Sequence, residues 1–136
     1  PADNLTRWTT HLPAITTQLG PDHPHTLTTR NNLAYWRGAA GDPAAAATTT
    51  EQLLTDRLRV LGPDHPDTLT TRNNLAYWRG AAGDPAGAAT TTEQLLTDQL
   101  RIHGPDHPHT LTTRNNLAYW RREAGPDDAG TSSQSV

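Results

Sequence analysis

Between Pro43 and Leu61 the apolar and small residues recur at helical spacing. At about 100° per residue, Ala46, Thr50, Leu53, Leu54, Arg57, Leu58, Val60 and Leu61 fall on one arc, with Thr48, Glu51, Gln52, Thr55 and Arg59 opposite. This pattern predicts an amphipathic helix with one polar intruder, Arg57. Upstream, Pro24 to Ala40 runs without a breaker. Leu33, Trp36 and Ala40 define one patch there and Leu27, Ala34 and Gly38 another, with Arg30 and Arg37 between them and Thr28, Asn31 and Tyr35 on the remaining face. The punctuation agrees with the pattern. Pro24 and Pro43 suit first helical positions, where the missing N–H would be unpaired anyway, and Gly41 is a natural helix end. Asp22 or His23 can cap the first helix and Asp42 the second. Two helices joined by so short a turn must run antiparallel.

The whole pattern then repeats. Residues 20–61 recur at 62–103 with five differences, 37 of 42 positions being identical, and a third, partial copy runs from 104 to 125. The first 19 residues align with the second-helix half in degenerate form and are interrupted by Pro13. The expected organisation is a half repeat at 1–19, repeats at 20–61 and 62–103, a first-helix half repeat at 104–125, and a polar tail over 126–136 that reads as disordered. A fixed period of roughly 20 to 50 residues marks a solenoid whose units bury their apolar faces on one another. The expected fold is an all-α superhelical stack of about six antiparallel helices.

Composition supports a thin repeated core over a deep one. Sixteen Leu, two Ile and two Val are the only large aliphatic residues among 136, and Phe, Met, Cys and Lys are absent. The formal net charge of -3 is low for a disordered chain of this hydrophobicity. Without Cys there is no disulfide, thiolate or Cys-type zinc chemistry. No run of about 18 apolar residues exists, so no membrane-spanning helix is expected. A chain that opens on Pro1 and lacks Met reads as a piece of a longer or processed product.

Several of these residues together resemble a known family. Leu-Gly-Pro-Asp-His-Pro at 61–66, Asn-Asn-Leu-Ala at 31–34, Gly41 in the turn and the small Ala46 in the second helix are similar to the tetratricopeptide repeat, in the 42-residue variety of kinesin light chains and of bacterial proteins with a nucleotide-binding signalling domain. The resemblance covers 20–125 well and 1–19 poorly. This chain departs from it in having Thr50 and Thr92 where a large apolar residue is usual, and Arg37 and Arg79 where a tyrosine is usual, so Trp36 and Trp78 are expected to supply the missing bulk. The resemblance implies a protein-binding scaffold whose first helices line a concave groove. The groove residues it implies are Thr28, Asn31 and Tyr35, then Thr70, Asn73 and Tyr77, then Thr112, Asn115 and Tyr119. The chemistry suits the role. Asn side chains match backbone N–H and C=O groups of an extended peptide, and Tyr adds contact area with a polar tip.

Other chemistries have weaker support. Arg30, Arg37, Arg72, Arg79, Arg114 and Arg121 recur in every copy, yet the net charge is negative and their arc faces other helices. They are expected to pair with carboxylates such as Glu51 and Asp56, with no nucleic acid as partner. Asp22-His23-Pro24-His25, Asp64-His65-Pro66-Asp67 and Asp106-His107-Pro108-His109 hold ligand-type residues, but the clusters lie a repeat apart and capping already accounts for them. No metal site or cofactor is expected from them. The only serines, Ser132, Ser133 and Ser135, lie in the tail, and no phosphate loop or acid/base constellation is present, so no enzyme is expected. The expected role is a cytoplasmic module that binds a protein or peptide in the groove, as the sensing or regulatory arm of a larger protein, with a structural element that self-associates by end stacking or helix exchange and has no foreign ligand as the alternative. Leu111, Leu117, Ala118 and Trp120, on the last helix, are expected to be partly bare.

Overall fold

The structure is a computed structural model that describes residues 2–129, with side chains described over 3–126. It consists of α1 (Ala2–Leu19), α2 (Pro24–Ala39), α3 (Pro43–Leu61), α4 (Pro66–Ala81), α5 (Pro85–His103) and α6 (Pro108–Ala129), with no strand among the described residues. The all-α repeat fold and its helix boundaries follow the periodicity. Caps settle the open choice at α2: His23 is the N-cap, its Nδ1 accepting the His25 N–H at 3.0 Å, while Asp42 and Asp84 cap α3 and α5. Gly20, Gly41, Gly62, Gly83, Gly104 and Gly125 all have positive φ, and each follows its predecessor by 21 residues, half the repeat.

Contacts divide the chain into two compact units, residues 1–71 and 72–136. In the first, α2 packs against both α1 and α3. Its interior holds Ile15, Leu27, Leu33, Ala34, Ala46, Leu53 and Leu69. In the second, α5 packs against α6. Its interior holds Leu75, Ala76, Trp78, Ala88, Leu95 and Leu117.

Threonine makes up most of the remaining interior. Thr26, Thr29, Thr49, Thr50, Thr68 and Thr71 are buried in the first unit and Thr91, Thr92, Thr110 and Thr113 in the second. A buried hydroxyl needs a partner, and a helix supplies one in the carbonyl four residues back. Thr29 donates to the His25 carbonyl at 2.8 Å, Thr71 to that of Asp67 at 2.8 Å, Thr92 to that of Ala88 at 2.7 Å and Thr113 to that of His109 at 2.9 Å. Where its hydroxyl is satisfied in this way, threonine packs like the β-branched apolar residue whose shape it shares.

Three expectations need correction. The buried stripe of α3 is Ala46, Thr49, Thr50, Leu53 and Arg57, narrower than the predicted arc, and it leaves Leu58 and Val60 41% and 38% exposed. Pro13 does not interrupt α1, because Pro13 and Thr9 lie on its exposed side and the missing N–H withholds a donor only from a surface carbonyl. Of the tail over 126–136, residues 126–129 continue α6 after a break at Gly125, and residues 130–136 lie outside the described part. Leu111 is 45% exposed and Ala118 is exposed as expected, but Leu117 is buried.

Arginine ties repeat with the helices. Arg30 pairs with Asp56 at 2.6 Å in the first unit, and Arg72 pairs with Asp98 at 2.7 Å in the second. Arg59 adds Asp22 at 2.7 Å and Asp56 at 3.2 Å. Arg121 reaches Glu93 at 2.6 Å. Arg37 and Arg79 donate to the hydroxyls of Thr49 and Thr91, at 2.5 and 2.6 Å. Arg57 is buried and donates to Thr71 Oγ1 at 2.8 Å; burial lowers its pKa, and the charge of Asp67 opposes that shift. The next copy has Gln99 at this position, followed by His109 where Asp67 follows Arg57. The charged residue and its counter-charge are thus exchanged together.

Two measurements test this packing. A Cβ at Gly80 would run into the ring of Trp120, so Gly80→Ala is expected to cost about 1–3 kcal/mol, read as a lower urea midpoint at unchanged slope. An unchanged midpoint would show that α4 and α6 do not approach as described. Hydrogen bonding from Arg30 and Arg59 holds the Asp56 carboxyl below its ordinary value against the opposing effect of partial burial. Such a group adds stability that is complete above an unfolded value of about 4 and is lost as pH falls through the lower folded value. Asp56→Asn is therefore expected to lower the melting temperature at neutral pH and to flatten its decline on acidification; melting curves that keep the same acid slope would contradict the pairing.

Candidate functional site

On α2, Thr28, Asn31 and Tyr35 follow one another at spacings of three and four, which places them on one helix face. Because Leu27, Leu33 and Ala34 turn inward, this face turns out. The same spacing on α4 and α6 gives Thr70, Asn73 and Tyr77, and Thr112, Asn115 and Tyr119. All three threonines, all three tyrosines and Asn115 are exposed, whereas Asn31 and Asn73 are half-buried. The tyrosines are 53%, 54% and 47% exposed, high for so large a residue repeated at one register. Each ring stands edge-on to the tryptophan that follows it, with centroids 4.8–4.9 Å apart. Since Trp78 is buried, that contact fixes the orientation of the outward ring of Tyr77.

The asparagine position also has a structural use. Within residues 72–136, Asn116 Nδ2 donates to Asn73 Oδ1 at 3.2 Å, a tie between α6 and α4 that the repeat pattern alone does not predict. It occupies the Asn73 carbonyl oxygen and leaves that side chain's donor group for other contacts. The signal for it is the doubled Asn-Asn, of which the family resemblance gives a groove role only to the first member.

The structure also assembles a second cluster. The ligand-type nitrogens of His103, His107 and His109 all lie within 4.8 Å of one another. His103 and His107 are stacked with centroids 4.2 Å apart. Burial lowers the His107 pKa, and the neighbouring His103 and His109 add to the shift. The cap is common to all three loops, His23, His65 and His107 each accepting the N–H two residues on at 3.0 Å, while Asp22 of the first loop is held in the Arg59 ion pair. Sequence reasoning groups only neighbours within a loop and so misses His103. The available signal is one of the five repeat differences, Leu61 becoming His103.

Comparison with known proteins places this architecture. No curated protein matches the chain. Among solved structures, the nearly identical TPR-like repeats of a putative kinesin light chain from Podosopora anserina superpose with a TM-score of 0.79 at 24% identity, over 89% of this chain and 57% of that one. A singly substituted form of the same repeats gives 0.76 at 24% identity, over 85% and 55%. The chain thus spans little more than half the length of these relatives, and the likeness is one of fold. The family model for the tetratricopeptide repeat matches residues 26–67 and 68–109, two consecutive stretches with the 42-residue period. These matches cover more than half of the sequence, and the chain belongs to the tetratricopeptide repeat family.

Proposed function

We propose that this chain is a protein-binding scaffold in which α2, α4 and α6 each offer an outward Thr-Asn-Tyr face to extended segments of a protein partner. The observation that carries this reading is the exposure of Tyr35, Tyr77 and Tyr119 at one repeated register, each held by its neighbouring tryptophan. A ring with fixed orientation loses little entropy on binding, and the adjacent Asn and Thr groups can meet the regularly spaced polar groups of a peptide backbone. Repetition suits a linear ligand, whereas a reaction needs one unique arrangement of groups. The role is therefore recognition and not catalysis. No described helix is long and apolar enough to cross a membrane.

A second reading, self-association, is favoured by one residue. Leu111 is 45% exposed, whereas its equivalents Leu27 and Leu69 are 1% and 5% exposed. A helix from another copy would cover it as the repeats cover theirs.

Selection of displayed peptides on the immobilised chain tests the first reading. Peptides that enrich are expected to lose at least about tenfold in affinity on Tyr77→Ala with Tyr119→Ala, at a stability cost no greater than about 1.5 kcal/mol per tyrosine. Trp78→Ala should instead cost about 3–5 kcal/mol of stability. Retained peptide affinity in the tyrosine variant, or no enrichment at all, would contradict the proposed face. Sedimentation equilibrium addresses the second reading: a dimer that Leu111→Glu dissociates supports it, and a monomer at all concentrations removes it.

A further inference from the structure

We propose that His103, His107 and His109 form a binding site for a divalent transition-metal ion of the zinc class at the junction of α5 and α6. Three nitrogen donors within 4.8 Å of one another come from the last residue of one helix, the N-cap of the next and its first turn. Tetrahedral zinc–nitrogen bonds of about 2.0–2.1 Å place donor atoms about 3.3 Å apart, so the cluster needs to close by at most about 1.5 Å. His109 is exposed and can rotate to do so, while His103 and His107 are half-buried and already stacked. Imidazole donors suit zinc, copper and nickel, and three of them leave a further position for water.

The two other Gly-Pro-Asp-His junctions serve as controls within the same chain. Around Gly20 the equivalent residues are Leu19, His23 and His25, and around Gly62 they are Leu61, His65 and Asp67. Only the junction at Gly104 has histidine at all three positions. The backbone is the same in kind at each, with Gly62 and Gly104 at φ 89° and 86°. The site therefore arises from side chains alone, chiefly from the exchange of Leu61 for His103.

Binding has an identifiable cost. His107 Nδ1 accepts the His109 N–H at 3.0 Å. Coordination through Nδ1 displaces that hydrogen bond, and coordination through Nε2 moves the ring proton onto Nδ1 and breaks it as well. The ion thus takes the place of the cap at the start of α6, and the His109 amide reports its arrival.

Calorimetric titration of the untagged 136-residue chain with zinc chloride tests the proposal, together with amide NMR spectra along the titration. The expected result is saturable binding of one ion per chain, with the His109 amide among the resonances that move most. His103→Leu restores the residue of the preceding copy and should preserve the melting temperature, yet weaken binding at least about tenfold. His109→Ala should weaken it similarly, and His25→Asp, which copies Asp67 into the first loop, should leave it unchanged. Absence of saturable binding by about 100 µM zinc, undiminished binding in His103→Leu, or an equal loss in His25→Asp would each overturn the site.

Discussion

A glycine with positive φ recurs at 21-residue intervals, following each helix or, in α6, interrupting it, and the other features of the molecule depend on that spacing. At Gly62, φ 89° and ψ 166° lie in a region open to essentially no other residue. The chain is turned there by backbone geometry, and at Gly104, with φ 86° and ψ 169°, it is turned in the same way, so α6 follows α5 by the turn with which α4 follows α3. Equal phase lets a contact formed once be formed again: Arg30 with Asp56 recurs as Arg72 with Asp98, and Arg37 with Thr49 recurs as Arg79 with Thr91.

Fixed phase also explains how so few large apolar residues suffice. Ala46 and Ala88 are wholly buried, and with the interior threonines they let helices approach closely. A threonine hydroxyl that donates to its own helix asks no acceptor of the neighbouring helix and keeps its lone pairs for an incoming donor, as Thr71 does for Arg57. Most of the longer-range polar bonds come from the arginines, whose forks reach from one helix to the next. Where one of these changes, its surroundings change with it: Arg57 lies near Asp67, while Gln99 is followed by His109.

The helices were legible in the sequence because their ends are written in residues with narrow conformational meaning, proline at the first position and glycine after the last. The family was legible for the same reason, since period and punctuation occur together. Burial was less so. An apolar arc counts Leu58 and Val60 as core, but which part of an arc meets a neighbour depends on the approach of that neighbour, and here Thr49 took the buried place. The Asn73–Asn116 tie and the three-histidine cluster were not legible either, because both join residues of different helices. The repeated Thr-Asn-Tyr register could be read directly, and the exposure of its tyrosines now gives that register a surface.

Substitution of Gly62 by alanine tests most directly whether backbone turning sets the register. No atom lies within 4 Å of where the new Cβ would stand, so side-chain crowding cannot account for any effect. If the positive φ is required, Gly62→Ala lowers the free energy of unfolding by about 1–3 kcal/mol in urea titration. An unfolding midpoint equal to that of the unsubstituted chain would contradict the account, since it would mean that the helices find their phase without the glycine.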